Sequence, residues 1–311
     1  MVNALHVIAK TKRRGIKIMK CFYHGIDNDG KCAGFWVRKL AEHYDEYGKE
    51  FIPINYGDEF PFDTIHQNEQ IYIVDYSILP EEMDRLLEIT KDVTWCDHHI
   101  SAIKKYENYP HEIKGVRHDG VAASMLTYCY LRHMDNGRIT FNETMIKDAP
   151  MFTKYIADYD VWTFEYGDDT RKFNLGSQLH DLSPTGELLE RIYNFNIDES
   201  FCNEVIKQGE TIMQYRDNWA KNYCKSKGFE TVLDGHKCYA LNLAMVSSDH
   251  FKSVNEVEYD MFIGFSYDGN IWTYSLRSSK IDCSEIAMKY GGGGHKGAAG
   301  FTSKELILKG V

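Results

Sequence analysis

No two of the eight cysteines, at positions 21, 32, 96, 129, 202, 224, 238 and 283, stand in a Cys-x-x-Cys spacing, which argues against a zinc ribbon. They read as reduced, mostly buried thiols of a cytoplasmic protein. No apolar run approaches the roughly 20 residues that span a bilayer, so no membrane partner is expected. The start of the chain, with the basic run Lys10-Thr11-Lys12-Arg13-Arg14, lacks the apolar core and small-residue cleavage site of a secretory leader. It reads as a solvated start rather than a nucleic-acid arm. A basic excess is missing too: 36 Lys and Arg face 46 Asp and Glu, for a net charge of −10. That balance argues against tracking along long nucleic acid, which needs many phosphate contacts. It leaves room for a short phosphate ligand, since bound cations reverse the local sign. There is no internal repeat and no low-complexity tract.

What is present fits an ordinary globular chain: 311 residues, 43% hydrophobic and 26% charged, enough for two domains with real cores. Strand-like runs near 17–24, 50–55, 70–75, 93–97 and 113–117 alternate with amphipathic stretches such as Lys31 to Tyr47 and Glu81 to Thr90. That alternation predicts βαβ units and a mainly parallel sheet. Helices are expected over Val121 to His133 and Met145 to Ala157. Residues 171–197 read as loops and short helices, and a long helix from Asp198 to Lys227 serves as a connector. From Gly228 the texture changes. Turn signals at Leu233-Asp234-Gly235-His236 and Tyr267-Asp268-Gly269-Asn270 sit between strand-like runs, so a smaller α+β domain is expected. The boundaries are read as 1–197, 198–227 and 228–311.

The chemistry gathers at the ends of the apolar runs. Residues 16–23 lead into His24-Gly25-Ile26-Asp27-Asn28-Asp29-Gly30, residues 71–74 into Asp75, and Val93 to Cys96 into Asp97-His98-His99. In an open parallel sheet the carboxyl ends of the strands face one crevice, where ligands bind. So many carboxylates share a site only with cations or with steeply raised pKa values, and a hard-metal cluster is the economical reading. Ile156-Ala157-Asp158-Tyr159-Asp160 is a fourth candidate, in which one carboxylate reaches the cleft and the other caps locally. In the last part, Gly291-Gly292-Gly293-Gly294-His295-Lys296 has little motive except close backbone approach to a ligand or another chain, and its N–H groups suit an anion. Leu276-Arg277-Ser278-Ser279 offers an arginine fork and hydroxyls to phosphate.

Taken together, His24-x-x-Asp27-x-Asp29-Gly30, Asp75, Asp97-His98-His99, Ala157-Asp158 and the glycine run with His295 resemble the ordered motifs of the DHH phosphoesterase superfamily. Arg277-Ser278 and the glycines resemble its DHHA1 domain. The motifs run from residue 24 to 300. The spacing from His24 to Asp27 is one residue shorter than in some members. The resemblance implies an N-terminal mainly parallel α/β DHH domain followed by a smaller α+β DHHA1 domain. It implies two divalent cations, Mn²⁺ first with Mg²⁺ or Co²⁺ as alternatives. His24 and Asp27 would hold one ion, Asp29, His98 and Asp158 the other, with Asp75 between them. Asp158 is chosen over Asp160 from the Ala-Asp pattern. His99 would contact the scissile phosphate. Arg277, Ser278, Gly292, Gly293, Gly294 and His295 would grip the substrate's other phosphate or terminal nucleotide.

The two-domain length resembles that of the short-oligonucleotide nucleases and of the related 3′-phosphoadenosine-5′-phosphate phosphatases. The expected activity is therefore two-metal phosphodiester hydrolysis, a 3′-to-5′ exonuclease releasing nucleoside 5′-monophosphates from very short oligonucleotides. Three alternatives stay open. One keeps the chemistry on 3′-phosphoadenosine 5′-phosphate or a linear or cyclic dinucleotide. The second is an inorganic pyrophosphatase, which Arg277 and the glycine run argue against. The third is a non-catalytic nucleotide-binding module, which the filled ligand positions argue against. The base-stacking residue and the oligomeric state, a homodimer included, are left open.

Overall fold

The computed structural model describes residues 17–42, 47–134, 139–194 and 200–308. The basic run at 10–14 lies outside them, as do the first two residues of the expected connector helix. The chain forms two compact units, Met1–Glu210 and Thr211–Val311.

The first unit is built on four parallel strands in the order β2-β1-β3-β4. β1 is Lys17–His24, α1 Asn28–Ala41, β2 Tyr47–Ile54, β3 Gln70–Val74, α2 Pro80–Ile89, β4 Val93–Cys96 and α3 Ile100–Lys105. Strands covered on both faces read as continuous apolar runs, and β3 and β4 show this: Ile71 to Val74 and Val93 to Cys96 are all buried. Alternate residues then serve opposite cores. Phe22, Ile71, Ile73 and Trp95 pack with Met83 and Leu86 of α2. Cys21, Tyr72, Val74 and Cys96 pack with Ala33 and Val37 of α1 and with Leu126 and Tyr130, which belong to α4, Ala123–His133. The sheet is thus covered by helices on both sides, as the alternating sequence predicts. The expected strand near 113–117 is reduced to two isolated bridges, Thr94 with Lys114 and Asp97 with Arg117.

Helices complete this unit: α5 Met151–Asp160, α6 Asp168–Ser177, α7 Glu187–Asn194 and the first part of α8, Ser200–Lys227. The single helix expected over Met145 to Ala157 is split. Residues 143–146 form a 3-10 turn, and Pro150 precedes the first residue of α5. Proline fits just before or within a first helical turn and blocks an interior one, so the helix starts at Met151.

The second unit is a six-stranded sheet in the order β5-β6-β7-β8-β10-β9. Its strands are β5 Phe229–Leu233, β6 His236–Asn242, β7 Met261–Tyr267, β8 Trp272–Arg277, β9 Gly293–His295 and β10 Ala298–Ser303, with α9 Cys283–Lys289 packed against them. Both expected hairpins form. Asp234 and Gly235 take positive φ in the first (51° and 83°) and Gly269 in the second (100°). All eight cysteines are buried and none forms a disulfide. Among the described residues no helix is long and apolar enough to cross a membrane.

Candidate metal centre

Each strand end delivers a group to the same edge of the parallel sheet. β1 ends on His24. Asp27 caps α1, its Oδ1 accepting from Gly30 N at 2.9 Å, which leaves Oδ2 free to face His24. A Cβ on Gly30 would sit 2.2 Å from the His24 carbonyl oxygen, so only glycine permits this tight return of the chain. Asp29 is buried on the first turn of α1, and its two oxygens accept from Ala123 N at 2.7 Å and Ser124 N at 3.0 Å. These are among the unpaired donors at the start of α4. Asp75 follows β3 with φ +54°, an uncommon conformation for a side-chain-bearing residue, and its N–H donates to Cys96 O at 3.0 Å.

The imidazoles and carboxylates converge. His24 Nδ1 lies 2.6 Å from Asp27 Oδ2 and 3.5 Å from Asp75 Oδ2. His98 Nε2 lies 3.3 Å from Asp75 Oδ1, 3.4 Å from Asp160 Oδ2 and 4.0 Å from Asp29 Oδ2. Three overlapping groups result, each with its ligand atoms within 4.8 Å of one another: His24, Asp27 and Asp75; Asp29, His98 and Asp160; and Asp75, His98 and His99. Proximity does not make these contacts hydrogen bonds. His24 Nδ1, Asp75 Oδ1 and Asp160 Oδ2 are buried with no aligned partner. Such orphaned atoms are rare in folded proteins, and these three point at one another's neighbourhood. A cation fits that donor set, hard oxygens with two to three imidazoles.

The electrostatics agree. Burial pushes the carboxyl groups of Asp29, Asp75 and Asp160 above their ordinary value, with neighbouring carboxylates adding to the effect. His24 is pushed up to about 10 by Asp27 and then Asp75. Carboxylates packed this closely share a site only with positive charge among them, from protons or from cations.

Asp97 plays a different part from the one its motif suggests. It is fully buried, and its Oδ1 accepts from His98 N at 2.8 Å, His99 N at 3.3 Å and His99 Nδ1 at 2.7 Å. The Ser77 hydroxyl donates to Oδ2. Burial acts against its charge, but His99 and these donors hold the carboxyl below its ordinary value. His99 in turn is held above the usual imidazole value, Asp97 outweighing the effect of burial. With Nδ1 committed to Asp97, Nε2 is the nitrogen His99 can present elsewhere.

The choice of Asp158 over Asp160 is corrected. Asp158 turns away from the cluster and accepts from the Thr163 hydroxyl at 2.5 Å, Glu165 N at 2.7 Å, Tyr166 N at 3.2 Å and the Thr170 hydroxyl. Its carboxylate is spent on the loop after α5, and Asp160 occupies the position beside His98. The Ala-Asp pattern carries no information about which helix face meets the sheet edge. Tyr56 was also missed. Its ring makes T-shaped contacts with His24 and His99, each at 5.6 Å. It carries no motif, so only the fold reveals it.

In the second unit Phe262, Arg277, Ala298 and His295 form one row across β7, β8, β10 and β9. Directly paired residues share a face, so Arg277 and His295 lie on the same side, roughly 10 Å apart at the usual strand spacing. The arginine fork is partly used: it donates to Leu276 O at 2.8 Å and Val246 O at 3.0 Å. The expectation for Ser278 is corrected. Its hydroxyl donates to Asp260 O at 2.6 Å and accepts from Lys280 N and Ile281 N, so it is the centre of a turn. The second half of the glycine run, Gly293 and Gly294, opens the edge strand β9. Gly291 and Gly294 have positive φ (77° and 140°), Gly292 lies against Gly300 and Phe301, and a Cβ on Gly293 would meet nothing.

By fold and site this is a two-domain α/β protein whose parallel sheet gathers at its carboxyl edge a cluster of carboxylates and imidazoles able to hold divalent cations. Residues 243–309 match the DHHA1 domain family. Oligoribonuclease NrnB from Bacillus subtilis (strain 168) is 25% identical over 255 residues, covering 78% of this chain and 62% of NrnB. An uncharacterised protein of Acanthamoeba polyphaga mimivirus is 24% identical over 324 residues, covering 89% of this chain and 66% of that protein. The chain therefore spans less than two thirds of the length of these relatives. An exopolyphosphatase-related protein from Bacteroides fragilis shares the fold, with a TM-score of 0.53 at 15% identity, covering 99% of this chain and 93% of the other. Residues 243–309 thus belong to the DHHA1 domain family, and the chain as a whole is similar to NrnB and to proteins of the same fold.

Proposed function

We propose that the chain is a divalent-cation-dependent phosphodiesterase that removes nucleoside 5′-monophosphates from the 3′ end of very short oligonucleotides. The observation that carries this reading is the membership of Asp75 in two ligand groups, one with His24 and Asp27, the other reaching His98. The likeness to NrnB, a protein named as an oligoribonuclease, supports the substrate class. In this reading His24 and Asp27 hold one ion, Asp29, His98 and Asp160 the other, and Asp75 serves both, with Mn²⁺ the expected metal and Mg²⁺ or Co²⁺ the alternatives. Bound divalent cations supply Lewis-acid stabilisation of phosphoryl charge and lower the pKa of water.

The chain's own residues do the rest. The buried carboxylates exclude bulk water and fix the donor atoms before substrate arrives. Asp97 and Ser77 keep His99 in one tautomer, so Nε2 is presented to a phosphoryl oxygen and can carry a proton there. Arg277, Gly292, Gly293, Gly294 and His295 are proposed to bind the substrate's non-reacting phosphate or nucleotide. Binding energy from such a remote group is spent on positioning the reacting one.

A product time course tests this. Labelled two-, three-, five- and twenty-nucleotide RNA and DNA, with 3′-phosphoadenosine 5′-phosphate alongside, are incubated with Mn²⁺. Short oligonucleotides should yield 5′-monophosphates fastest. Preferred hydrolysis of 3′-phosphoadenosine 5′-phosphate, or of the twenty-mer, overturns the substrate assignment.

A further inference from the structure

Two half-exposed aromatic side chains are linked to the metal-competent cluster, Tyr56 by ring contact and Trp162 by its place two residues after Asp160, and neither is among its candidate ligands. Tyr56 follows β2. Its ring makes T-shaped contacts with the imidazoles of His24 and His99, each at 5.6 Å, and packs on Tyr76 at 5.0 Å. It is nevertheless 53% exposed. Trp162 stands two residues after Asp160, so its Cα is within about 7.6 Å of the Asp160 Cα. It is 51% exposed, although tryptophan is on average a highly buried residue.

The loop that carries Trp162 is built at a cost. Trp162 and Phe164 both have positive φ (59° and 53°), a conformation that is an outlier for bulky residues and persists only where surrounding structure over-determines it. Here the four hydrogen bonds to the Asp158 carboxylate do so. The Arg171 guanidinium lies 3.6 Å from the Phe164 ring centroid. Tyr159 and Phe164 meet the indole in T-shaped contacts at 5.2 and 4.6 Å. Asp158 thus acts as a positioning residue for a rigid, water-facing indole.

We propose that Tyr56 and Trp162 are two nucleobase platforms, one on either side of the reacting phosphate. Tyr56 touches two imidazoles of the cluster, and Trp162 follows Asp160 by two residues on another element, so the two rings reach it from different parts of the fold. A dinucleotide carries one base on each side of its phosphodiester. Flat, pre-ordered rings next to a phosphate site stack bases of any sequence. This deepens the short-oligonucleotide reading and rests on it.

The test is a cycle of variants against substrates: wild type, Tyr56→Ala and Trp162→Ala, each with a dinucleotide and with its two analogues abasic on the 5′ or the 3′ side. Each substitution should lower kcat/KM on the intact dinucleotide by about 5- to 150-fold, the range for loss of one base stack. Each should also erase the preference for the intact dinucleotide over one abasic analogue, and the two variants should erase opposite preferences. Trp162→Phe should keep most of the preference. Unchanged preferences, or the same preference lost in both variants, overturn the two-sided platform.

A second readout needs no turnover. With Mg²⁺ present, AMP should quench tryptophan fluorescence in the wild type, whereas ribose 5-phosphate should not, and Trp162→Phe should remove the quench. An AMP quench that survives in Trp162→Phe, or is absent from the wild type, overturns the Trp162 platform. A wild type that hydrolyses no dinucleotide overturns the proposed function instead, and the AMP titration still decides for Trp162.

Discussion

Asp75 sits in a left-handed backbone conformation at the point where both ligand groups meet. Asparagine tolerates that conformation, so Asp75→Asn isolates charge from shape. It should lower kcat/KM at least about 100-fold, as loss of a ligand exceeds the 10- to 100-fold typical of outer-sphere changes; near-normal turnover would remove Asp75 from the centre. Its effect on stability should change sign with metal. Burial holds Asp75 above its ordinary pKa, so in EDTA the neutral amide should raise Tm, and with Mn²⁺ it should lower it. A lower Tm in EDTA would make Asp75 a structural residue. Six members of the cluster, His24, Asp27, Asp29, Asp75, His98 and His99, were legible in the sequence because strand ends announce themselves by apolar runs. Asp160 was not, because a helix offers several faces and the sequence around it does not say which one meets the sheet edge.

Two elements of the second unit carry contrasting tests. Gly292 and Gly293 are neighbours with opposite surroundings. A Cβ on Gly292 would fall 2.1 Å from Gly300 O and 2.5 Å from Phe301 Cβ, whereas one on Gly293 meets nothing within 4 Å. Gly292→Ala should therefore lower Tm, by about 4–8 °C for each kcal/mol in a unit of this size. Gly293→Ala should leave Tm in place, and any loss of kcat/KM it causes then reports a ligand against that backbone. Equal melting of the two variants would contradict the packing of Gly292 on β10. The turn at Ser247 adds a pH dependence. Ser247 N donates to His250 Nδ1 at 3.1 Å, which requires that nitrogen to be unprotonated, and burial pushes His250 below its ordinary value. A folded-state pKa below the unfolded one gives stability above the unfolded value, near about 6.5, and that stability is lost as pH falls through the folded value. Melting of the wild type should decline on acidification below that point, and His250→Asn should decline less steeply. The hairpins here were legible from Asp-Gly pairs. The turn around Ser278 was not, because a hydroxyl that organises its own backbone looks in sequence like one offered to a phosphate.

At the scale of the molecule, the cation should matter to folding as well as to turnover. A ligand bound only by the native state stabilises it by mass action, so EDTA should abolish hydrolysis and lower Tm, and Mn²⁺ should restore both. Full activity after exhaustive metal removal would exclude a cation-dependent reaction. Asp29 gives this coupling a reporter. The same carboxylate that faces His98 receives the first amides of α4, from Ala123 and Ser124. In the terms of NMR, those two amide protons are hydrogen-bonded to a group whose electron density a cation withdraws. Their resonances should shift as the centre fills and return when the ion is chelated. On the proposed assignment of Asp29 as a ligand, the opening turn of that helix would serve as a built-in titration indicator, able to count occupancy of the centre with no substrate, product or dye in the tube.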